Sequence, residues 1–177
     1  MKQGIILYQS KYGATKKYAN WLSDKIGFDC ITVNKADIKK ITQYDVIVLG
    51  GAIYASGISG LSFLKKHMEA LRGKRLAVFC VGASPYEKKA VEQIYQHNLK
   101  GELKNIPCFY CRGAWDESIM SFKDRTLCKM LQKAVSKKDP SAYEPWEVAL
   151  MEAIGKKCDW TDETYLTPLI EYLSQQK

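Results

Sequence analysis

The chain has 177 residues, of which 46% are hydrophobic, and a formal net charge of +8 at pH 7. This length predicts one domain over residues 1–177 that buries about two thirds of its unfolded surface, and no stretch approaches the roughly 18 consecutive apolar residues of a membrane span. The N-terminus lacks an apolar signal segment, so we expect a cytoplasmic protein whose six cysteines stay reduced. The charge comes mostly as scattered lysine pairs without a nucleic-acid motif, and no nucleic-acid partner is expected.

The first predicted elements are a buried strand, a short polar loop and a helix. Residues 4–8, GIILY, form an apolar run typical of a strand buried on both faces, and residues 14–26 carry an apolar stripe at helical spacing. Hydroxyls, a glycine and the free amides of a helix N-terminus together suit a phosphate. A plain tight turn with a helix cap is the alternative. The loop consists of Ser10, Lys11, Tyr12, Gly13, Ala14 and Thr15.

This loop resembles the phosphate loop of flavodoxin-like proteins that bind flavin mononucleotide (FMN), whose pattern is hydroxyl-x-hydroxyl-Gly-x-hydroxyl. The wider string YQSKYGATKKYA, residues 8–19, is closer still to the flavodoxin-domain proteins that include the menaquinone-dependent protoporphyrinogen oxidases. Two residues depart from the pattern, Tyr12 in place of the usual Thr and Ala14 in place of a frequent Asn. The resemblance implies FMN as cofactor, with its phosphate on the hydroxyls of Ser10 and Thr15 and on the amides of residues 11–14.

Strands and helices alternate through the first two thirds of the chain, which predicts a parallel sheet with right-handed crossovers. The resemblance implies an α/β fold, a flavodoxin-like three-layer sandwich with a five-stranded parallel sheet in the order 2-1-3-4-5. Ligands of that fold lie beyond the carboxyl ends of strands one, three and four. The remaining predicted strands are residues 29–34, 44–50, 75–81 and 106–111, and the helices between them are residues 36–41, 61–71 and 87–99.

Two further loops at those strand ends have a composition that suits a flat ring. The segments GGAIYASG, residues 50–57, and GASPY, residues 82–86, combine small residues with one aromatic each. Small residues let a main chain approach a ring, and an aromatic can stack on it. An ordinary strand-to-helix connection is the alternative for either loop. In flavodoxin-like proteins the isoalloxazine ring lies between two such loops, which implies ring contacts with Ala52, Ile53, Tyr54 and Ala55 and with Gly82, Ala83, Ser84 and Tyr86.

The other candidate motifs are weaker. Cys108 and Cys111 have C-x-x-C spacing, but they lie in a predicted strand, where residues three apart point to opposite faces. Packing is therefore favoured over a redox or metal site, and no metal is predicted. His67 and His97 lie in lysine-rich helical surroundings typical of surface residues. No catalytic residue is identified.

An extended helical segment, about residues 116–160, follows the fifth strand. Within it, FKDRTLCKMLQKAVSKK, residues 122–138, has apolar residues on one side and basic residues largely elsewhere. This pattern predicts either a helix packed on the sheet with a basic outer face, or a basic amphipathic surface for a membrane or a partner. Further helices are predicted at residues 145–154 and 169–174.

The expected function is redox or electron-transfer chemistry with FMN, whose chemistry needs no visible acid–base residue. The resemblance implies oxidation of protoporphyrinogen with electrons passed to a membrane quinone, and it extends loosely to DWTD at residues 159–162. The expected partner is a quinone or an electron-transfer protein, with peripheral membrane contact through the basic helix 122–138. The alternative is a non-catalytic interaction module that docks on an acidic partner or a membrane surface.

Overall fold

The computed structural model describes residues 3–175 and has a parallel β-sheet at its centre. Its strands are β1 (Gly4–Gln9), β2 (Asp29–Thr32), β3 (Val46–Tyr54), β4 (Gly57–Ile58), β5 (Arg75–Gly82) and β6 (Cys108–Arg112). Five of them pair in parallel in the order β2-β1-β3-β5-β6, and the short β4 pairs antiparallel with the end of β3. The predicted flavodoxin-like order is confirmed.

Helices cover both faces of the sheet. They are α1 (Ala14–Ile26), α2 (Ile38–Ile41), α3 (Leu61–His67), α4 (Lys88–Asn98), α5 (Phe122–Val135), α6 (Pro145–Ala153) and α7 (Thr167–Ser174). Buried side chains of α1 and α7 pack on one face, and those of α2, α3 and α4 pack on the other. Successive side chains of a strand point to opposite faces of the sheet. Ile5 and Leu7 therefore pack in the core cluster on one face, and Ile6 packs in the cluster on the other.

The same alternation separates the C-x-x-C cysteines. Cys108 packs against the cluster under α4, whereas Cys111 belongs to the cluster under α1. The two sulfurs therefore serve opposite layers, which confirms the packing interpretation of this motif. All six cysteines are free thiols.

The predicted end of the third strand was wrong. β3 does not stop at Gly50 but runs on to Tyr54 and turns through Ala55 and Ser56 into β4. The glycines within β3 serve packing, because a Cβ on Gly51 would lie 2.2 Å from the Ser59 carbonyl oxygen. Residues 50–57 are thus the end of a strand and a hairpin turn rather than an open loop.

A second, two-stranded sheet closes the added segment after β6. β7 (Ala114–Asp116) pairs antiparallel with β8 (Lys157–Asp159), so both ends of the segment meet at one ladder. The helices α5 and α6 lie between these strands and contact each other. Lys138, in the turn after α5, donates from Nζ to Oε1 of the buried Glu147 on α6 at 2.5 Å. Among residues 3–175, no helix combines the length and apolar character needed to cross a bilayer.

Candidate functional site

The site begins at the turn between β1 and α1. Gly13 has φ 101°, a left-handed conformation that glycine adopts readily, and its N–H donates to Ser10 Oγ at 3.1 Å. No side chain caps α1, so the N–H groups of Ala14, Thr15 and Lys16 have no partner within the helix. These amides and the positive end of the helix dipole form a site for an anion. The Thr15 side chain beside them is 2% exposed.

The carboxyl ends of β5 and β6 lie next to this turn. The Gly113 N–H donates to the Gly82 carbonyl at 2.7 Å, and a Cβ on Gly113 would lie 3.6 Å from Ala14 Cβ. Ile53 on β3 lies beside the end of β5, since its Cδ1 would lie 3.1 Å from a Cβ on Gly82, and Lys11 Nζ of the loop lies 5.0 Å from the ring centre of Tyr54. The structure therefore brings together the predicted phosphate loop and both predicted ring-binding segments.

The segment after β5 is fixed by side chains of β6. The Tyr110 hydroxyl lies within hydrogen-bond distance of the Ser84 carbonyl at 2.5 Å and the Gly82 carbonyl at 3.2 Å, and Arg112 Nε donates to the Ala83 carbonyl at 3.3 Å. Burial raises the pKa of Tyr110, so the hydroxyl stays protonated as a donor. Tyr86 remains exposed, with its ring centroid 6.1 Å from that of Tyr110.

A carboxylate from α5 lies against the phosphate loop, and sequence reasoning missed it. Asp124 is 4% exposed although it sits in the first turn of a basic helix. Its Oδ2 accepts from the Tyr12 hydroxyl and pairs with Lys11 Nζ, and its Oδ1 accepts from the Tyr54 hydroxyl at 2.8 Å. Three of the predicted cofactor-binding side chains therefore converge on one acidic group.

The charges in this cluster reinforce one another. The bond from Lys11, followed by that from Tyr12, holds the pKa of Asp124 well below its usual range, so the carboxylate is ionised at neutral pH. The bond to Asp124 raises the pKa of Lys11 and of Tyr54. Lys11 Nζ also lies 5.0 Å from the centre of the Tyr54 ring. Stacking of Tyr54 on a flavin stays a prediction, with the side chain here bonded to Asp124.

The sequence at the start of α5 is typical of a helix cap and does not indicate that Asp124 contacts the phosphate loop. Ser121 and Asp124 match the S-x-x-D signature of a capping box, in which the acid would bond back to the serine N–H. Ser121 Oγ does accept from the Asp124 N–H at 3.2 Å, but the Ser121 N–H donates to the Tyr12 hydroxyl at 3.1 Å. The Asp124 carboxylate is thus released from the helix cap and turned toward the loop. A lone acid in a basic helix was the only sequence signal for it.

Metal binding and open clefts are two further features of the described residues that bear on function. Within the described range 3–175, no three His, Cys, Asp or Glu side chains lie close enough together to hold a metal ion. Open clefts of about 440 and 630 Å³ lie at the amino-terminal edge of the sheet, beside Arg72–Arg75 and beside Ile106–Cys108 respectively. Neither cleft is lined by a residue of the phosphate loop.

The model of the family described as "Flavodoxin domain" matches residues 5–142. The chain belongs to the flavodoxin-domain family. It is accordingly an FMN-binding protein of redox or electron-transfer chemistry, and it passes electrons to or from a redox partner. A search of curated proteins found no match.

Flavodoxin-domain structures from several organisms resemble this one at low identity. A flavodoxin of Megasphaera elsdenii is 17% identical over 61% of this chain and 82% of that chain, with a TM-score of 0.46. A flavodoxin, WrbA-like protein of Agrobacterium tumefaciens is 19% identical over 71% and 88%, with a TM-score of 0.44. Flavodoxin 1 of Bacillus cereus is 18% identical over 73% and 93%, with a TM-score of 0.42.

The loop residues fit the phosphate end of FMN, but not through every predicted group. The uncapped amides at Ala14 and Thr15 suit a phosphate, and Ser10 holds the loop through its bond to Gly13. The side chains of Lys11 and Tyr12 are bonded to Asp124 instead. Tyr12, which stands in place of the usual Thr of the phosphate loop, is thus bonded to Asp124 on α5.

Proposed function

We propose that this flavodoxin-domain protein is an FMN-dependent oxidoreductase of the protoporphyrinogen-oxidase type with a quinone as electron acceptor, and that residues 1–177 form one domain. The observation that carries the proposal is the uncapped N-terminus of α1, placed beside the carboxyl ends of β5 and β6. The oxidase part is supported by the resemblance of residues 8–19 and by the segment added after β6. FMN supplies reversible electron acceptance, and the chain supplies binding and orientation.

Each part of the site has a stated role in this proposal. The amides of Ala14 and Thr15 and the hydroxyls of Ser10 and Thr15 hold the phosphate. Residues 52–55 and 82–86 flank the ring, and the bonds from Tyr110 and Arg112 keep the second of these segments in place. These bonds restrain the main chain of the segment, which lowers the entropic cost of binding a ring there.

Uptake of FMN tests the cofactor site. Purified protein is titrated with FMN and, separately, with riboflavin, which lacks the phosphate. We expect Thr15→Ala to weaken FMN binding roughly tenfold or more, because a hydrogen bond to a charged group contributes about 1.5–3 kcal/mol. Thr15→Ser keeps the hydroxyl and should restore most of the affinity. Thr42→Ala, at a half-buried position directly after α2, is the control. A protein that takes up no flavin would refute the proposal.

The electron acceptor is tested with protein whose bound flavin has been reduced. After anaerobic reduction of the bound flavin, we expect a menaquinone analogue to reoxidise it rapidly and to support oxidation of added protoporphyrinogen. An electron shuttle would instead be reoxidised by a protein acceptor and would leave protoporphyrinogen unchanged. That second outcome would be consistent with the flavin site but would refute the assignment as a protoporphyrinogen oxidase.

A membrane-docking function is the second candidate, and the surface of α5 favours it. Phe122 is 86% exposed and Met130 is 64% exposed, and Leu127 and Leu131 are also exposed, so the apolar side of this helix is not packed on the sheet. Lysines at 123, 129 and 133 lie on the same helix. An exposed apolar face with basic neighbours suits an anionic lipid surface.

Vesicle pelleting tests this surface. We expect binding to vesicles with anionic lipid, weaker binding at high salt, and loss of binding in Phe122→Ser/Met130→Ser. Lys39→Ser/Lys40→Ser, which removes two charges from the distant α2, is the control. Equal binding to neutral and anionic vesicles would contradict the electrostatic part of the proposal.

A further inference from the structure

The bonds of Asp124 carry one inference about the cofactor site beyond its location. Lys11 is the loop's own cation, yet its Nζ pairs with the buried Asp124 carboxylate. Tyr12 stands at the second hydroxyl position of the loop, yet its hydroxyl also donates to Asp124. The amides at the start of α1 are left outside this cluster.

The consequence for an incoming phosphate is electrostatic. A lysine paired with an aspartate offers little net charge, because the carboxylate bonded to the ammonium cancels most of it. A phosphate on the α1 amides would gain little from Lys11 and would be repelled by a carboxylate that is 4% exposed and bonded to two side chains of the loop.

We propose that Asp124 sets the FMN affinity of this chain by acting as an internal anion, which occupies the loop's side-chain donors and opposes the cofactor phosphate. The inference rests on the proposed function. The chain therefore binds FMN through main-chain amides and the Ser10 and Thr15 hydroxyls alone, and it holds the cofactor less tightly than the loop would without α5. Asp124 in turn keeps the loop formed when no cofactor is bound.

The alternative role for Asp124 would be the opposite one. A carboxylate can position a lysine for phosphate, in which case its removal would weaken FMN binding. The structure favours competition because Asp124 engages Tyr12 and Tyr54 as well as Lys11, and because its carboxylate has left the helix cap to do so. The sign of the effect on FMN affinity separates the two roles.

The experiment is a double-mutant cycle on FMN affinity with riboflavin as reference. We expect Asp124→Asn to raise FMN affinity about tenfold relative to riboflavin affinity, because the freed Lys11 can make a charge-assisted bond to phosphate. We expect Lys11→Met to change FMN affinity less than about threefold in the parent and about tenfold in the Asp124→Asn background. Asp139→Asn, an exposed position on the same added segment, controls for net charge.

The outcomes separate the inference from the proposed function. Folded Asp124→Asn protein that binds FMN as the parent does, or more weakly, overturns the inference and leaves the flavin site intact. A large loss of FMN affinity in Lys11→Met alone also overturns it, and this result needs no Asp124 variant to fold. Failure of every variant to take up flavin would refute the proposed function, and the inference with it.

Thermal unfolding gives a second readout. Without FMN, we expect Asp124→Asn to unfold at a lower temperature, because Lys11, Tyr12 and Tyr54 lose the negative charge and one of the two acceptor oxygens that they share. With saturating FMN, the same variant should gain more in unfolding temperature than the parent gains. A purely structural role would lower the unfolding temperature without the larger gain.

Discussion

Tyr18 and Lys17 tie the helix of the cofactor loop to the DWTD segment near the end of the chain. The buried Tyr18 hydroxyl donates to the Arg112 carbonyl at 2.6 Å and accepts from the Asp162 N–H at 3.1 Å. Lys17 Nζ donates to Asp159 Oδ2 at 2.8 Å. Two residues of this motif therefore hold α1 in place, Asp159 through its carboxylate and Asp162 through its main-chain N–H.

The pH dependence of the free energy of unfolding at acidic pH tests the contact between Asp159 and Lys17. The bond from Lys17, then that from Thr161, lowers the pKa of Asp159 to about 2. A carboxyl whose folded pKa is below its unfolded value stabilises the fold above the unfolded pKa and loses that contribution as it protonates. We expect Asp159→Asn to lower the free energy of unfolding by about 0.5 kcal/mol at neutral pH, since exposed ion pairs contribute little.

The deficit should shrink as the pH falls from about 4 to about 2. Urea unfolding of the two proteins across this range measures it, with Asp24→Asn on the exposed side of α1 as the charge control. A difference that is the same at every pH would contradict the assignment.

At the scale of elements, the hairpin from β3 to β4 is a strained connection. Ala55 has φ 46° and Ser56 has φ 63°, so both central residues adopt the left-handed conformation of a type I′ turn. Asn98 on α4 supports the turn, because its Nδ2 donates to the Ser56 carbonyl at 2.7 Å and its Oδ1 accepts from the Ile58 N–H at 2.9 Å. A neighbouring helix thus offsets part of the cost of the turn.

Substitutions in this turn should stabilise the protein without a change in main-chain conformation. We expect Ala55→Asn/Ser56→Gly to raise the free energy of unfolding by about 1 kcal/mol, because these residues adopt positive φ at lower cost. Ala55→Val should have the opposite effect, since a β-branched residue is strongly disfavoured there. Chemical denaturation measures both variants. Equal stability of all three proteins would show that the turn is not strained.

The sequence predicted the regular elements of the sheet but not this hairpin. Apolar runs and helical stripes identify α1 over its full length and place β5 within a residue of its end. The β3–β4 turn carries Ala and Ser where Asn and Gly would signal it, so its positive φ values depend on support from Asn98.

Asp124, the hydrogen-bond acceptor at the phosphate loop, also could not be predicted from the local sequence. Asp124 lies more than a hundred positions from Tyr12, and its local pattern points to a helix cap. Side-chain contacts between distant segments depend on how the added helices return to the sheet, which periodicity does not encode. The phosphate loop, in contrast, is contiguous in sequence, and its uncapped amides follow from the strand–turn–helix order alone.

At the scale of the whole molecule, the added segment is separable from the sheet. Its buried residues, among them Val135 and Leu150, belong to neither of the two core clusters that pack on the sheet. Asp116 and Lys157 face each other at the open end of the β7–β8 ladder. A short turn could therefore join them directly.

Replacement of residues 117–156 by Asn-Gly tests this separation. We expect the shortened chain to fold, because Asn-Gly suits a two-residue hairpin and both core clusters are retained. It should also bind FMN more tightly than the parent, since Asp124 is removed. Circular dichroism and flavin titration measure these outcomes. An unfolded product would show that α5 and α6 are needed by the sheet.

The β7–β8 ladder joins the two ends of the added segment, and we expect this segment to be less stable than the sheet. Because the ladder holds both ends of the segment, α5 and α6 can open as a local unfolding unit while the doubly covered sheet stays intact. Amide hydrogens of α5 would then exchange with solvent well before those of β3 and β5. Each such opening would also separate Asp124 from the loop, so we expect the rate of cofactor exchange to follow local unfolding of this segment and not global unfolding.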